Sequence, residues 1–306
     1  MKEYTFRAEE EGSGLRIDKY LASQVDELSR AYLQKLIKEG NVLVNGKGCK
    51  ASTVVLSGDE VLLRTPDSVI PDILAENIPL SVLHEDEDVI VVNKPKDMVV
   101  HPAAGHYSRT LVNALLYHCR DLSGINGVLR PGIVHRIDKD TTGAVIACKN
   151  DAAHESIAAQ LKEHSVEREY IAIVHGNILQ DTGTIDAPIG RDQKDRKKMC
   201  VDHHNGREAV THYEVLERFG QYTFVRCRLE TGRTHQIRVH FTYLNHPLLG
   251  DETYCHIKTP YHLQGQTLHA RTLGFTHPRT GERILTEAPV PEYFERVLKD
   301  LRMRFT

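Results

Sequence analysis

The sequence predicts an α+β protein in two parts: a small α/β module of two helices and a hairpin, then a larger domain with a mixed, mainly antiparallel sheet and flanking helices. Three observations carry this. Strand-like runs follow one another through hairpin-type connections, with only occasional helical stretches between them, unlike the steady alternation of βαβ units. A Pro/Asp-rich connector, Thr65-Pro66-Asp67-Ser68 to Pro71-Asp72 and then Pro79, divides the chain. The length of 306 residues, 40% hydrophobic and 26% charged, suits one large core or two domains of a globular protein. The expected parts are residues 1–75, with a core at 14–64 and a linker to about 79, and residues 80–306.

In the first part, LRIDKYLASQV from Leu15 is amphipathic, and Ser29 is placed to cap a second helix, RAYLQKLIKEG, closed by Gly40. NVLVNGK then turns on Asn45-Gly46, the strongest short hairpin signal. Arg30, Lys35 and Lys38, with Lys47 and Lys50 just beyond, suit either an ordinary solvated helix face or a surface that lies on phosphates. The second part opens with strand Asp88 to Pro95, passes His101-Pro102 and reaches a helix over Thr110 to His118. Between Arg130 and Asn150, the apolar runs Ile133-Val134 and Ala144 to Ala147 flank Lys139-Asp140-Thr141-Thr142-Gly143 and predict a buried hairpin with a polar tip. A helix over 151–164, strands over Glu167 to Gly176, Ala209 to Leu216 and Tyr222 to Leu229, a helix over Thr234 to Asn245 and a last helix over Glu292 to Met303 complete the reading.

Composition excludes several classes. No apolar run is long enough to span a bilayer, and the start lacks the basic-then-apolar plan of a secretory signal, so a cytoplasmic protein is expected. Six scattered cysteines without a Cys-x-x-Cys pair argue against a disulfide framework or a zinc ribbon. The 18 histidines show no His-Glu-x-x-His, and His203-His204 lacks partner ligands, so no metal is expected. With a net charge of −3, any nucleic-acid surface has to be local.

Four features are more polar than their local structure requires. Asp138, in the His135-Arg136-Ile137-Asp138 run, sits where a strand should end; it reads as a turn residue or as a held carboxylate, able to act as nucleophile or base. Arg238 borders the apolar stripe of Ile237, Phe241 and Leu244 and needs an anionic partner, for which Asp138 is the candidate among any surface carboxylates. Tyr170, in an otherwise apolar strand, is either a core ring or a platform for an extruded base. The run Arg191 to Lys198 suits a solvated loop or a phosphate backbone.

The small module resembles the S4 RNA-binding domain through Leu15-Arg16-Ile17-Asp18-Lys19-Tyr20-Leu21, Ser29-Arg30, Ile37 to Gly40, Val42 to Gly46 and Ser57-Gly58-Asp59-Glu60-Val61. The larger domain resembles the RluA/RluD family of pseudouridine synthases almost end to end. Asn93-Lys94-Pro95 with His101-Pro102 is similar to the first motif of that family, and Arg130-Pro131-Gly132 through Asp138 to Thr142-Gly143 to its catalytic motif. Arg168-Glu169-Tyr170 is similar to its tyrosine segment, and Thr231-Gly232-Arg233-Thr234-His235-Gln236-Ile237-Arg238 to its arginine segment. His246-Pro247, Gly250-Asp251, Leu268-His269-Ala270 and His277-Pro278 follow in the family's order. Departures are Asp97 where glycine is common, Arg168 where lysine is, Ile137 where leucine is and Thr142 where serine is.

The resemblance implies isomerisation of uridine to pseudouridine without a cofactor, on RNA, most closely 23S ribosomal RNA or its large-subunit precursor. Asp138 would be the essential carboxylate, attacking C1′ or removing a ribose proton, with Arg238 as its charge partner. The uridine has to be flipped out, with Arg136 filling the vacated space and Tyr170 stacking on the uracil and assisting proton loss from C5. Arg233, Arg191, Lys197 and Lys198 would meet the RNA backbone, and Arg30 and Lys35 would serve the S4-like module. His135 is either support for the site or packing. No protein partner is implied, and a monomer is expected. The alternatives are a synthase acting on transfer RNA and a non-catalytic RNA-binding ribosome-assembly factor.

Overall fold

The computed structural model describes residues 2–25, 28, 30–65, 73–102, 106–119, 121–125 and 130–305. The chain forms two compact units, residues 1–70 and 71–306.

The smaller unit runs β1 (Lys2–Arg7), α1 (Ile17–Gln24), α2 (Arg30–Lys38), β2 (Val42–Val44), β3 (Lys47–Gly48) and β4 (Glu60–Thr65). Its antiparallel sheet has the order β1-β4-β2-β3, with Ile17, Leu21, Leu33, Leu36, Val42, Val61 and Leu63 buried as its core. The expected hairpin is present: Asn45 and Gly46 both take positive φ, 50° and 74°, so the turn twists with the strands it joins. The unit starts earlier than Gly14, because β1 pairs along its whole length with β4. The expected cap Ser29 lies outside the described residues.

Residues 66–72 of the expected linker also lie outside the described residues. Residues 73–80 pack with the larger unit: Ile73, Ile78 and Leu80 lie on its core, and the Asn113 amide donates to the Leu74 carbonyl at 2.8 Å.

The larger unit contains β5 (Val82–Glu85), β6 (Val89–Lys94), α3 (Leu111–His118), β7 (Thr142–Cys148), α4 (Asp151–Lys162), β8 (Glu167–His175), β9 (Thr182–Asp186), β10 (Ile189–Arg191), β11 (Met199–Val201), β12 (Val210–Arg218), β13 (Tyr222–Leu229), α5 (Gln236–Tyr243), β14 (Leu268–Thr276), β15 (Arg283–Glu287) and α6 (Glu292–Phe305). Its main sheet has the order β5-β6-β7-β14-β8-β13-β12-β9, with β15 also on β14 and β10-β11 a separate ribbon. The β7/β14 pair is parallel and its other described pairs are antiparallel, which makes this the mixed sheet of an α+β fold.

Strand alternation decides what each face carries. Ile90, Val92, Val145, Ala147, Tyr170 and Ala172 pack with α3 and α5 through Leu111, Leu115, Ile237 and Phe241. On the other face Val91, Ile146 and Cys148 meet Ile157 of α4, and Ile173 and Phe224 meet Phe294 and Leu298 of α6. The helices start where polar side chains meet their free N–H groups: Thr110 and Asn113 form a reciprocal capping box for α3, and Asn150 accepts from Ala153 N for α4.

The hairpin expected around Asp138 is corrected in its first arm. Only β7 is a strand, and Thr142 and Gly143 belong to it rather than to the turn. Before it, Gly132 takes φ 71°, its carbonyl accepts from Cys148 N at 2.8 Å, and Ile133 bridges Ala147. The next bond to the strand comes from a side chain, since His135 Nε2 accepts from Ile146 N at 3.0 Å. An imidazole thus occupies a ladder position, and residues 136–141 belong to no strand. His135 is therefore neutral; burial, aided by the Arg168 charge, pulls its pKa down to about 3. The expected helix over 234–245 is also shorter, because His235 takes φ 58° and α5 begins after it.

Candidate active site

Asp138 opens into a cavity of about 520 Å3 whose walls include Arg136, Arg168, Tyr170, Arg233, His235 and Arg238. The structure thus brings Asp138, Tyr170, Arg238, Arg136 and Arg233 around one space. Arg191, Lys197 and Lys198 lie on the β10-β11 ribbon and its loop, outside that lining. Arg30 and Lys35 belong to the smaller unit. There Arg30 donates twice to the wholly buried Asp18 at 3.0 and 2.7 Å, and Lys35 stands 3.7 Å from Glu39 on its own helix.

Arg238, on the first turn of α5, faces two carboxylates. Its Nη1 donates to Asp138 Oδ2 at 3.0 Å, while Nε and Nη2 form a fork on Asp251 at 2.7 and 2.9 Å. Asp251 is fully buried and also accepts from the backbone N–H groups of Thr253 and Tyr254. Burial alone would draw the Arg238 pKa down, but the Asp251 hydrogen bonds and the Asp138 charge outweigh it and raise the pKa further. Arg238 therefore stays charged and fixes one oxygen of Asp138.

The other oxygen, Oδ1, faces His235 Nε2 at 3.8 Å. The Tyr254 hydroxyl accepts from Met199 N and meets His235 Nδ1, both at 2.8 Å. Burial pushes the Tyr254 pKa up to about 12, so this hydroxyl keeps its proton while it holds the His235 ring in place. The Arg238 guanidinium also lies 5.0 Å from the Tyr254 ring centre.

From below, the loop is tied to β6. The buried Lys94 ammonium donates to the carbonyls of Pro95, Met98 and Lys139 at 2.8, 2.8 and 2.9 Å. Burial pulls its pKa down to about 7 against the opposing charges of Asp138, Asp140 and Asp97. Asp97 adopts φ 62°, the left-handed conformation that explains why glycine suits this position, and it pairs with Lys139 at 2.7 Å. Across the cavity, Tyr170 stands on β8 beside Ala270 and Cys227, whose small side chains leave its ring free to face the opening. Burial raises its pKa, so the phenol stays protonated.

The arrangement is a fixed carboxylate with one free edge, opposite an aromatic face, under a basic rim to which Lys162 and His164 also contribute. Such a site can attack carbon or take a proton, beside a flat ring held on the tyrosine. Sequence reasoning missed Asp251, Lys94 and Tyr254 as supports; Gly250-Asp251 and Asn93-Lys94-Pro95 were visible as motifs, but their partners were not. Among the described residues, Asp86, Asp88 and His277 come together in metal-ligand fashion. Their lone pairs are already engaged. His277 Nδ1 accepts from Arg279 N and Thr280 N, which leaves the proton on Nε2 facing Asp86, and Asp88 holds Arg279 and Asn150. The group fits an ion-paired staple.

The RNA pseudouridylate synthase family matches the chain at residues 88–243, and the S4 domain matches residues 15–61. RNA pseudouridine synthase YlyB of Bacillus subtilis is 54% identical over 302 residues, 99% of each chain. Ribosomal large subunit pseudouridine synthase D of Zymomonas mobilis is 45% identical over 308 residues, covering 95% of each. Among solved structures, human RNA pseudouridylate synthase domain containing 1 superposes with a TM-score of 0.56 at 25% identity, over 74% of this chain and 96% of that one. With the carboxylate, tyrosine and arginine segments gathered inside the matched region, the chain belongs to the RNA pseudouridylate synthase family and carries an S4 domain ahead of the synthase unit.

Proposed function

We propose that this pseudouridine synthase isomerises specific uridines of large-subunit ribosomal RNA, with Asp138 as the essential carboxylate acting on a uridine flipped out of the RNA. The observation that carries the reading is the Asp138–Arg238–Asp251 chain at a cavity walled by Tyr170. It supplies an oriented carboxylate and a surface for a flat base. Flipping costs a few kcal/mol of stacking and pairing, which the basic rim offsets through phosphate contacts. Arg136, exposed at the cavity mouth, fills the space the base leaves, and Tyr170 stacks on the uracil.

Arg233, the Arg191, Lys197 and Lys198 ribbon, and Arg30 and Lys35 of the smaller unit hold the RNA backbone. The enzyme works as a cytoplasmic monomer. Ribosomal rather than transfer RNA is favoured because relatives that are 42–45% identical over 94–95% of this chain carry the name ribosomal large subunit pseudouridine synthase D.

Two measurements test this. Asp138→Asn should abolish pseudouridine formation while leaving the Kd for RNA within about threefold, a shift of less than 1 kcal/mol; turnover near the wild-type rate removes Asp138 from its role. Pseudouridines mapped across all cellular RNA, with and without the gene, should differ in large-subunit ribosomal RNA. A loss confined to transfer RNA would move the substrate assignment there.

A further inference from the structure

Arg168 is the one cavity-wall cation that the roles above leave unused. The residue is 8% exposed, and no carboxylate among the described residues lies within ion-pair distance of it. Its hydrogen bond runs from Nη2 to the Glu230 carbonyl oxygen at 2.9 Å, and its Nε is buried without a partner. A buried guanidinium with an unmet donor is costly, and proteins normally pair it.

The fold makes room for the exception. Gly232 passes so close that a Cβ there would fall 2.6 Å from Arg168 Nη1. Arg168 and Tyr170 are two residues apart on β8, so both side chains leave the same face of the strand and enter the same cavity.

The reaction supplies the missing partner. When the N1–C1′ bond breaks, its electron pair stays with the uracil and spreads over N1, O2 and O4, so the detached base is an anion. C1′ is meanwhile held by Asp138 or has lost a neighbouring proton to it. C5 of the anion then bonds to C1′ as the Asp138–C1′ bond breaks and its electron pair returns to the carboxylate, or as Asp138 gives the proton back to C2′; C5 gives up its proton and N1 gains one, so that nothing is added or lost overall.

We propose that Arg168 is a catalytic residue that receives an oxygen of this uracil anion, stabilising the leaving base while Tyr170 stacks on it. The inference rests on the functional reading above, since it needs a uridine in the cavity. A charge that is poorly matched in the empty enzyme and matched only once the base carries negative charge favours the bond-breaking step over simple binding.

The test compares full-length wild type, Arg168→Met and Arg168→Lys in single-turnover assays on target RNA at saturating enzyme, with the Kd measured across a salt series. Arg168→Met should slow the single-turnover rate by about a hundredfold, in line with loss of one oxyanion donor. Its Kd and salt dependence should stay within twofold of wild type, and Arg168→Lys should recover most of the rate.

Two results would overturn the inference. One is an unchanged rate in Arg168→Met. The other is a raised Kd with a salt slope reduced by about one and a normal saturated rate, which would assign Arg168 to a phosphate. Should Arg168→Met fail to fold, Arg168→Gln takes its place: the uncharged amide should slow the saturated single-turnover rate at least tenfold without weakening binding, and a wild-type rate in it refutes the proposal. Wild-type enzyme that forms no pseudouridine in the same assay would instead defeat the functional reading itself.

Discussion

Asp138 is held by residues that do no chemistry of their own, and Asp251 matters most among them. It is wholly buried and takes two of the three guanidinium donors that Arg238 directs at carboxylates. In Asp251→Asn an amide N–H group would face those donors and Arg238 would lose its main counter-charge. Breaking a buried pair in this way costs about 3–5 kcal/mol. Chemical denaturation should show that loss, and single-turnover pseudouridine formation should fall by at least tenfold. Stability and rate both at wild-type levels would show that the fork contributes nothing. Arg238→Lys should fail similarly, because an ammonium cannot make the fork and reach Asp138 together. The residues proposed for chemistry were legible because each breaks a local pattern: a carboxylate at a strand end, a phenol in an apolar strand, an arginine beside an apolar stripe. Asp251 breaks none. It follows a glycine in an ordinary polar stretch, and only the fold reveals that it meets Arg238.

The loop that carries Asp138 depends on two elements, β7 behind it and β6 beneath it. Gly143 is the tightest point, with φ 114° and the Ala270 carbonyl oxygen only 2.2 Å from where a Cβ would sit. Gly143→Ala should therefore break the parallel β7/β14 contact at the sheet centre. Backbone strain and overpacking together give about 2–5 kcal/mol, read as a lower unfolding midpoint or loss of soluble protein; a midpoint unchanged from wild type would show that the strands can separate cheaply. The strands and helices that the sequence revealed were those with long apolar runs, such as β6 and β8, or an amphipathic pattern, such as α6. The first arm of the hairpin was misread because Ile133-Val134 is apolar enough for a strand. Gly132 and the His135 ring, by taking over the bonds that a second strand would have made, decide otherwise. The parallel neighbour β14 was invisible for a related reason: it pairs with β7 from more than a hundred residues away, and no local pattern records such a contact.

At the scale of the molecule, the two units have separate cores, and the larger one includes residues from 73 onward. A fragment beginning at residue 71 should fold cooperatively yet bind target RNA more weakly and with a shallower salt dependence than the full chain. An unfolded fragment would contradict the separate cores, and undiminished affinity the assignment of RNA binding to the smaller unit. The same fragment should be acid-sensitive. Burial pulls His135 down to about 3 and His101 and His269 to about 4, so the unfolded chain takes up their protons first as the pH falls. Their stabilising contribution is complete above the unfolded value of about 6.5 and is lost progressively toward pH 4 and below. The melting temperature should drop across that window, and less so in His269→Gln; a flat profile would count against neutral buried imidazoles. Acidic groups held low join later: hydrogen bonds from Val89 N and Asp88 N keep Asp86 at about 2 against the effect of its burial. The bracing of Asp138 has one more consequence. With the carboxylate set before RNA arrives, the deformation of the encounter falls on the nucleic acid. Among target hairpins that differ only in the pairing strength around the uridine, the logarithm of kcat/KM should fall linearly with unpairing free energy, about tenfold for each 1.4 kcal/mol. The enzyme would then act as a gauge of local RNA melting, choosing among otherwise equal uridines the one whose helix opens most easily.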